Sequence, residues 1–502
     1  MTECILSSNP MKEKLFKYLP WAILIIGAVL RISQFIFNRS VTEGEAALAI
    51  NIMNRSYAGL LKPLDLVQAA PYGFLVIQKT MFQVLGNNDY SLRVFPQLCG
   101  LISLFVFWRV TKKMLSAWGL AIGLLLFSVS DYLIYFSSEV KQYSTDVMIG
   151  LIITSLAVSV LAAGFNRWNF TGLALCAGLG IWLSHPAFFF MVGGGTLIFI
   201  HVLKNRDRSA RLPWLALVFI FLASAAADYT LSLRFLIAHR EFINFWQPAF
   251  MPLPPRSLAD LRWFGYVFAR IFKNPAGFPI YLIPLAIIFF ILGIVRFYKN
   301  RSWEAWLLVL PVILSLAASG LHKYPFEGRL MLFLIPGMVI FIAAGFESLA
   351  GDGNRGRRIA AMIAALLLLL PVTGIAGYRL IQPRQPEELR PVMRFLQTQY
   401  RAGDAVYLYY AAVNGFNYYC RQMDFQPDSV YFGFESRAHP AGYLRDLERM
   451  TGRPRVWIIF SHIATWGGVD EEKVFVVYLD RLGRCLEFYK ASGASAYLYK
   501  LR

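Results

Sequence analysis

The chain of 502 residues is 57% hydrophobic and only 16% charged, with a mean hydropathy of +0.50; soluble domains carry about 25% charged residues, so a soluble globular protein is excluded and an integral membrane protein indicated. The formal net charge of +19 would suit a nucleic-acid partner, but the basic residues fall in short clusters between apolar runs, as in loops on the cytoplasmic side of a bilayer. No nucleic-acid partner is therefore expected.

Lys12, Lys14 and Lys17 precede the first apolar run, 19–37, which places the N-terminus in the cytoplasm. That run is too long for a signal-peptide core and lacks a small-residue cleavage site, so it reads as retained. The next basic clusters are Arg109/Lys112/Lys113, Lys204/Arg206/Arg208/Arg211, Arg296/Lys299/Arg301 and Arg355/Arg357/Arg358. All fall on one side if further spans run over 91–110, 117–136, 146–163, 171–184, 187–203, 213–236, 278–296, 303–320, 330–348 and 358–378. The expected fold is an all-α polytopic membrane domain, 1–378, with about eleven spans, followed by a small extracytoplasmic α/β domain, 379–502. The expected location is the cytoplasmic (inner) membrane.

Between the spans, three outer regions are long. In the first, 38–90, apolar residues Ala46, Ala49, Ile50, Met53, Tyr57 and Leu60 recur at helical spacing, which predicts an amphipathic helix over 43–61. Residues 72–85, introduced by Pro71, would make a helix of about 21 Å, too short to span, so a second juxtamembrane helix is predicted. The second region, 239–279, is rich in aromatics and proline and reads as a membrane-lying loop or as a lid that orders on substrate. In the third, helices are predicted at 391–400 and 473–486 and strands at 405–410, 456–460 and 496–501. Of five cysteines, Cys4 is placed in the cytoplasm and Cys99 and Cys176 in spans. Cys420 and Cys485 share the outer domain, where they either pair or stay as two thiols.

Three polar clusters emerge on the outer face. Thr42-Glu43-Gly44-Glu45 has the spacing of a capping box, in which Glu45 bonds the Thr42 backbone; Glu43 is less committed and more available as a base or ligand. In the tight loop 135–146, Lys141 and Tyr143 suit a phosphate, while Glu139 and Asp146 suit a metal or a sugar. The blander alternative pairs Glu139 with Lys141 in water and makes Asp146 a helix cap. In the third cluster, His322, Lys323 and Arg329 suit a lipid phosphate or simply snorkel to headgroups. A lone His185 at a span end reads as structural.

The runs Glu45-Ala-Ala-Leu-Ala-Ile-Asn, Gln68-Ala-Ala-Pro-Tyr-Gly-Phe-Leu, Leu85-Gly-Asn-Asn-Asp-Tyr-Ser-Leu-Arg-Val-Phe-Pro, Ser138 to Asp146 and Tyr324-Pro-Phe-Glu-Gly-Arg329 together resemble the GT-C superfamily of membrane glycosyltransferases. The likeness is to its bacterial protein-mannosyltransferase, aminoarabinose-transferase and galacturonic-acid-transferase branch, and covers about 15–350. It implies transfer of a sugar from a polyprenyl-phosphate donor, with inversion, to an acceptor hydroxyl on a glycan, lipid or protein at the outer face of the bilayer. It also implies an Asp-Glu pair opening the first outer loop, with the Asp as base. Aligned on Glu45, that Asp position is Gly44, so the expected catalytic residues are Glu43 and Glu45. Lys141, Tyr143, Asp146, Glu139, Arg329, Lys323 and His322 are expected around the donor phosphate and sugar. A divalent metal is used by some relatives and stays open. The competing readings are a transporter or flippase for a lipid-linked saccharide and a non-catalytic partner in envelope polysaccharide assembly, which Gly44 would favour.

Overall fold

The computed structural model describes residues 10–502 apart from 238–239, 352–354, 438, 440 and 467. Cys4 and the predicted start of the second outer region at 239 lie outside the described residues.

Long apolar runs become helices because the bilayer core leaves the backbone no other partner for its N–H and C=O groups. Helix α1 spans Pro10–Phe37. The first outer region follows as α2 (Glu43–Asn54), a 3₁₀ turn at Ala58–Leu61, and α3 (Tyr72–Leu85). Then come α4 (Asp89–Met114), α5 (Ala117–Val129), α6 (Asp131–Phe136), α7 (Tyr143–Ala163), α8 (Arg167–Leu183) and α9 (Ala187–Lys204). Helix α10 (Arg211–Asp228) runs into a π-turn at Tyr229–Leu233, α11 (Arg234–Ile237) and α12 (Arg240–Phe245). The membrane part closes with α13 (Leu258–Lys273), α14 (Ile283–Asn300), α15 (Ser302–Gly320), α16 (Ile335–Ala350) and α17 (Arg355–Ile381).

Among the described residues, nine helical stretches are long and apolar enough to cross a membrane. The predicted spans at 117–136 and 171–184 are shorter helices: the first breaks at Ser130 between α5 and α6, and the second is α8. The predicted amphipathic helix at 43–61 ends at Asn54 and resumes only as the 3₁₀ turn. The stretch Gly328–Ala350, which contains α16, is the most enclosed of the nine, with 83% of its most apolar part buried. Glycine explains how tightly it packs on α14. A Cβ on Gly293 would sit 1.7 Å from the Phe341 carbonyl oxygen, and one on Gly345 2.0 Å from that of Phe289, so only glycine lets these backbones approach.

The C-terminal domain contains α18 (Leu389–Gln399), β1 (Ala405–Leu408), α19 (Val413–Gln422), β2 (Ser429–Phe432), α20 (Ala441–Glu448), β3 (Val456–Ser461), the two-residue strands β4 (Thr465–Trp466) and β5 (Val469–Asp470), α21 (Glu471–Leu482), β6 (Gly483–Ala491) and β7 (Ala494–Leu501). The main sheet has the order β2-β1-β3-β7-β6, with β1, β2 and β3 parallel and β7 antiparallel to both β3 and β6. The helix predicted at 473–486 thus ends at Leu482. Gly483 opens a strand instead, because a Cβ there would meet the Lys500 carbonyl oxygen at 2.1 Å and only glycine allows that approach. Cys420 and Cys485 are both free thiols, packed against different apolar clusters.

The sheet does not stand apart from the membrane domain. Val406, Trp457 and Leu498 from its strands share one apolar core with Ala46, Leu48 and Ile52 of α2 and Phe74 and Leu75 of α3. Polar groups seal the seam. Glu388 accepts from the Ser40 N–H at 3.0 Å and its hydroxyl at 2.9 Å, and the Val41 N–H donates to the Tyr419 hydroxyl at 2.8 Å. Buried Asp89, at the start of α4, pairs with Arg390 and accepts from the Tyr418 hydroxyl and the Gln422 amide, both at 2.7 Å.

Candidate active site

Thr42 caps α2 from extended backbone, and the full capping box forms with Glu45. Beyond the cap, the fully buried Glu45 carboxylate accepts from the Thr42 N–H at 3.0 Å and the Val140 N–H at 2.9 Å, and it is paired with Arg39 and with Arg93 at 3.1 Å. Burial alone would raise its pKa, but the two guanidinium groups and these hydrogen bonds outweigh that and hold it at about 2. Glu45 therefore knits the first outer loop, α4 and the 137–142 loop into one rigid support.

Glu43, two residues earlier, is half-buried and turns the other way. Its Oε1 accepts from Asn414 Nδ2 at 2.6 Å, and its backbone N–H donates to Glu387 Oε2 at 2.7 Å. With Gly44 it edges a cavity of about 470 Å³. Lys141, Tyr143, Asp146, His322, Lys323 and Arg329 line the same cavity. Seven of the nine residues singled out in the sequence thus converge, while Glu45 and Glu139 lie behind the wall. Glu139 is 3% exposed, and burial, reinforced by the nearby Glu45 charge, raises its pKa.

Local structure explains the convergence. Lys141 sits in the loop between α6 and α7 and donates to the Gln68 side chain. Its burial and the neighbouring Arg329 lower its pKa to about 8, against the pull of Glu139, Glu43 and Glu45. Tyr143 begins α7, and Arg329 lies over its ring at 5.9 Å from the centroid. Asp146 follows one helical turn into α7. His322 stacks on Phe250 at 4.9 Å, which joins the loop after α15 to the aromatic segment after α12. The cations that line the cavity are Lys141, Lys323 and Arg329, and its apolar lining includes Ile181, Phe188, Phe189, Leu233, Leu236 and Trp246. Such a combination suits an anionic headgroup attached to a hydrocarbon chain.

Several lining residues gave no readable local signal. Gln68 and Gln142 belong to loops that pattern arguments treat as solvent-facing. His185 reads locally as structural; burial pushes its imidazole down to about 4, so it is neutral, and its Nε2 has no hydrogen-bond partner among the described residues. Asp146 Oδ1 is likewise buried and unpartnered among them. Both atoms sit in side chains that border the cavity, where sugar hydroxyls could satisfy them. Among the described residues no three His, Cys, Asp or Glu side chains converge as a metal set.

Residues 69–227 match the family model of dolichyl-phosphate-mannose-protein mannosyltransferases. No curated protein sequence matches the chain. Among solved structures, ArnT from Cupriavidus metallidurans is similar in its apo form (TM-score 0.51, 11% identity, 95% of this chain and 97% of that one). It is similar also in the form bound to undecaprenyl phosphate (TM-score 0.51, 11% identity, 98% of each chain). The oligosaccharyltransferase AglB from Archaeoglobus fulgidus, in complex with an inhibitory peptide and a dolichol-phosphate, matches at TM-score 0.51 and 11% identity over 96% of this chain and 74% of that one.

Proposed function

We propose that this chain, which has the GT-C fold, is a membrane glycosyltransferase that moves a sugar from a polyprenyl-phosphate donor to an acceptor hydroxyl at the outer face of the membrane. The observation that carries this reading is a single cavity lined by Glu43, by the cations Lys141, Lys323 and Arg329, and by aromatic and aliphatic side chains. The family match and the similarity to an undecaprenyl-phosphate-bound structure support it.

In this reading the donor phosphate lies against Lys141 and Arg329, and its lipid runs along the apolar wall. The acceptor oxygen attacks the anomeric carbon while its proton passes to the Glu43 carboxylate. The bond from that carbon to the phosphate oxygen breaks, and polyprenyl phosphate leaves with the charge that the two cations stabilise. Anchoring the donor in the bilayer supplies orientation before chemistry begins. Transfer of labelled sugar from polyprenyl-phosphate donors by the purified, reconstituted protein tests the reading. A panel of such donors that bind but are never consumed would turn it toward the non-catalytic alternative, which Gly44 favours.

A pH dependence follows from Lys141. With its pKa lowered to about 8, it is charged below that value and loses its charge as the pH rises through it. The donor kcat/KM, which reports the free enzyme, is expected to fall above about pH 8. Lys141→Arg should move that limb to higher pH in the same assay, because a guanidinium keeps its proton there.

A further inference from the structure

The C-terminal domain touches one of the residues that line the cavity, Glu43, through Glu387 and Asn414, and His462 stands behind Glu387; the three come from three separate segments. Glu387 lies just before α18, Asn414 in the first turn of α19, and His462 directly after β3. The two Glu387 oxygens are divided: Oε2 accepts the Glu43 N–H at 2.7 Å, and Oε1 pairs with His462 Nδ1 at 2.7 Å. Asn414 holds the Glu43 carboxylate itself at 2.6 Å.

The surroundings hold this set in place. The β6–β7 turn grips the segment before α18: the Glu388 N–H donates to the Ser492 carbonyl at 2.7 Å, and the Ser492 hydroxyl donates to the Gln385 carbonyl at 2.6 Å. Gly493, at φ +64°, lies so close that a Cβ would be 1.9 Å from the Pro386 carbonyl oxygen. His462 itself adopts φ +52°, a left-handed conformation that costs a histidine energy and is kept where surrounding structure demands it. Its side chain is half exposed, and its hydrogen bond to Glu387, aided by the charges of Glu387 and Glu43, raises its pKa, which favours the imidazolium that pairs with a carboxylate.

We propose that Glu387, His462 and Asn414 are positioning residues of the transferase: the C-terminal domain clamps Glu43, backbone and carboxylate, at the edge of the donor cavity. This rests on the reading of Glu43 as the base. In that geometry His462 orients Glu387, Glu387 fixes the first turn of α2, and Asn414 aims the Glu43 carboxylate. None of the three is among the residues that line the cavity. The clamp also offers a reason why the carboxylate can stand at position 43 rather than 44: a partner from outside the membrane domain holds it there.

The test uses the full-length protein and the variants His462→Gln, Asn414→Ala and Glu387→Gln, with two readouts. Amide hydrogen exchange at Glu43, followed by mass spectrometry, reports the clamp without any turnover. It is expected to speed up in His462→Gln and Glu387→Gln. Steady-state transfer is expected to show kcat lower by about 10- to 100-fold in His462→Gln and Asn414→Ala, since small misplacements of a reacting group carry such losses, with donor KM within about twofold and unfolding temperature unchanged. Wild-type exchange together with wild-type kcat in these variants would overturn the proposal, as would a kcat loss that tracks lost thermal stability. Faster exchange with full transfer in both these variants and Glu43→Gln would instead fell the base assignment and reduce the clamp to a structural contact, overturning its catalytic half.

Discussion

Glu43→Gln should lower the rate of sugar transfer by about 10²- to 10⁴-fold, the range expected for loss of a general base, while donor KM stays close to wild type. Glutamine keeps the size and can still accept from Asn414, so the change removes proton-accepting power with little else. The effect belongs in kcat because the acceptor proton moves only as the new bond forms. A steady-state assay with a reconstituted donor and acceptor checks it; full activity would end the assignment. Position 44 offers a second arm. A Cβ on Gly44 would meet only Lys141 Cε, at 3.9 Å, which is ordinary contact. Gly44→Asp should therefore be accommodated, place a carboxylate beside Lys141, and restore at least tenfold of the activity lost in Glu43→Gln, a factor worth about 1.4 kcal/mol of barrier.

Glu45→Gln should cost stability rather than chemistry. The side chain neutralises two arginines that are each 1% exposed, and removing one member of such a buried set leaves uncompensated charge, at about 3–5 kcal/mol. The loss should appear as a lower unfolding temperature in detergent, and transfer per folded molecule should fall far less than in Glu43→Gln. The sign with pH is fixed by the pKa held at about 2 against an ordinary 4.5. The stabilisation is complete above the ordinary value and fades as the pH falls through about 2. The wild-type protein should therefore lose stability on acidification over that window, and Glu45→Gln should lose less.

Local punctuation made part of this readable in advance. Pro71 and Gly86 bracket α3, and the predicted bounds 72–85 match the observed ones. Thr42 and Glu45 form the capping box their spacing implies. The three polar clusters expected on one face do meet, since residues from each line the same cavity. Arg39 and Arg93 escaped notice because nothing local distinguishes a buried arginine from a snorkelling one. Strand β6 was hidden by the apolar alternation of α21 running into it, with only Gly483 to mark the change. Glu387, Asn414 and His462 lie 344 and 371 residues from Glu43 in the first two cases and farther still in the third, and no periodicity reports contacts at such separations.

The shared core of α2, α3 and the C-terminal sheet also sets an order of events during synthesis. Ser40 is translated 348 residues before its partner Glu388. At roughly 5–20 residues per second, the first loop waits about 17–70 s for the segment that pairs with it. During that interval Ala46, Leu48, Phe74 and Leu75 have no sheet to pack on. A ribosome stalled before the last hundred residues would leave a nascent protein whose first loop still lacks the sheet that completes its apolar core.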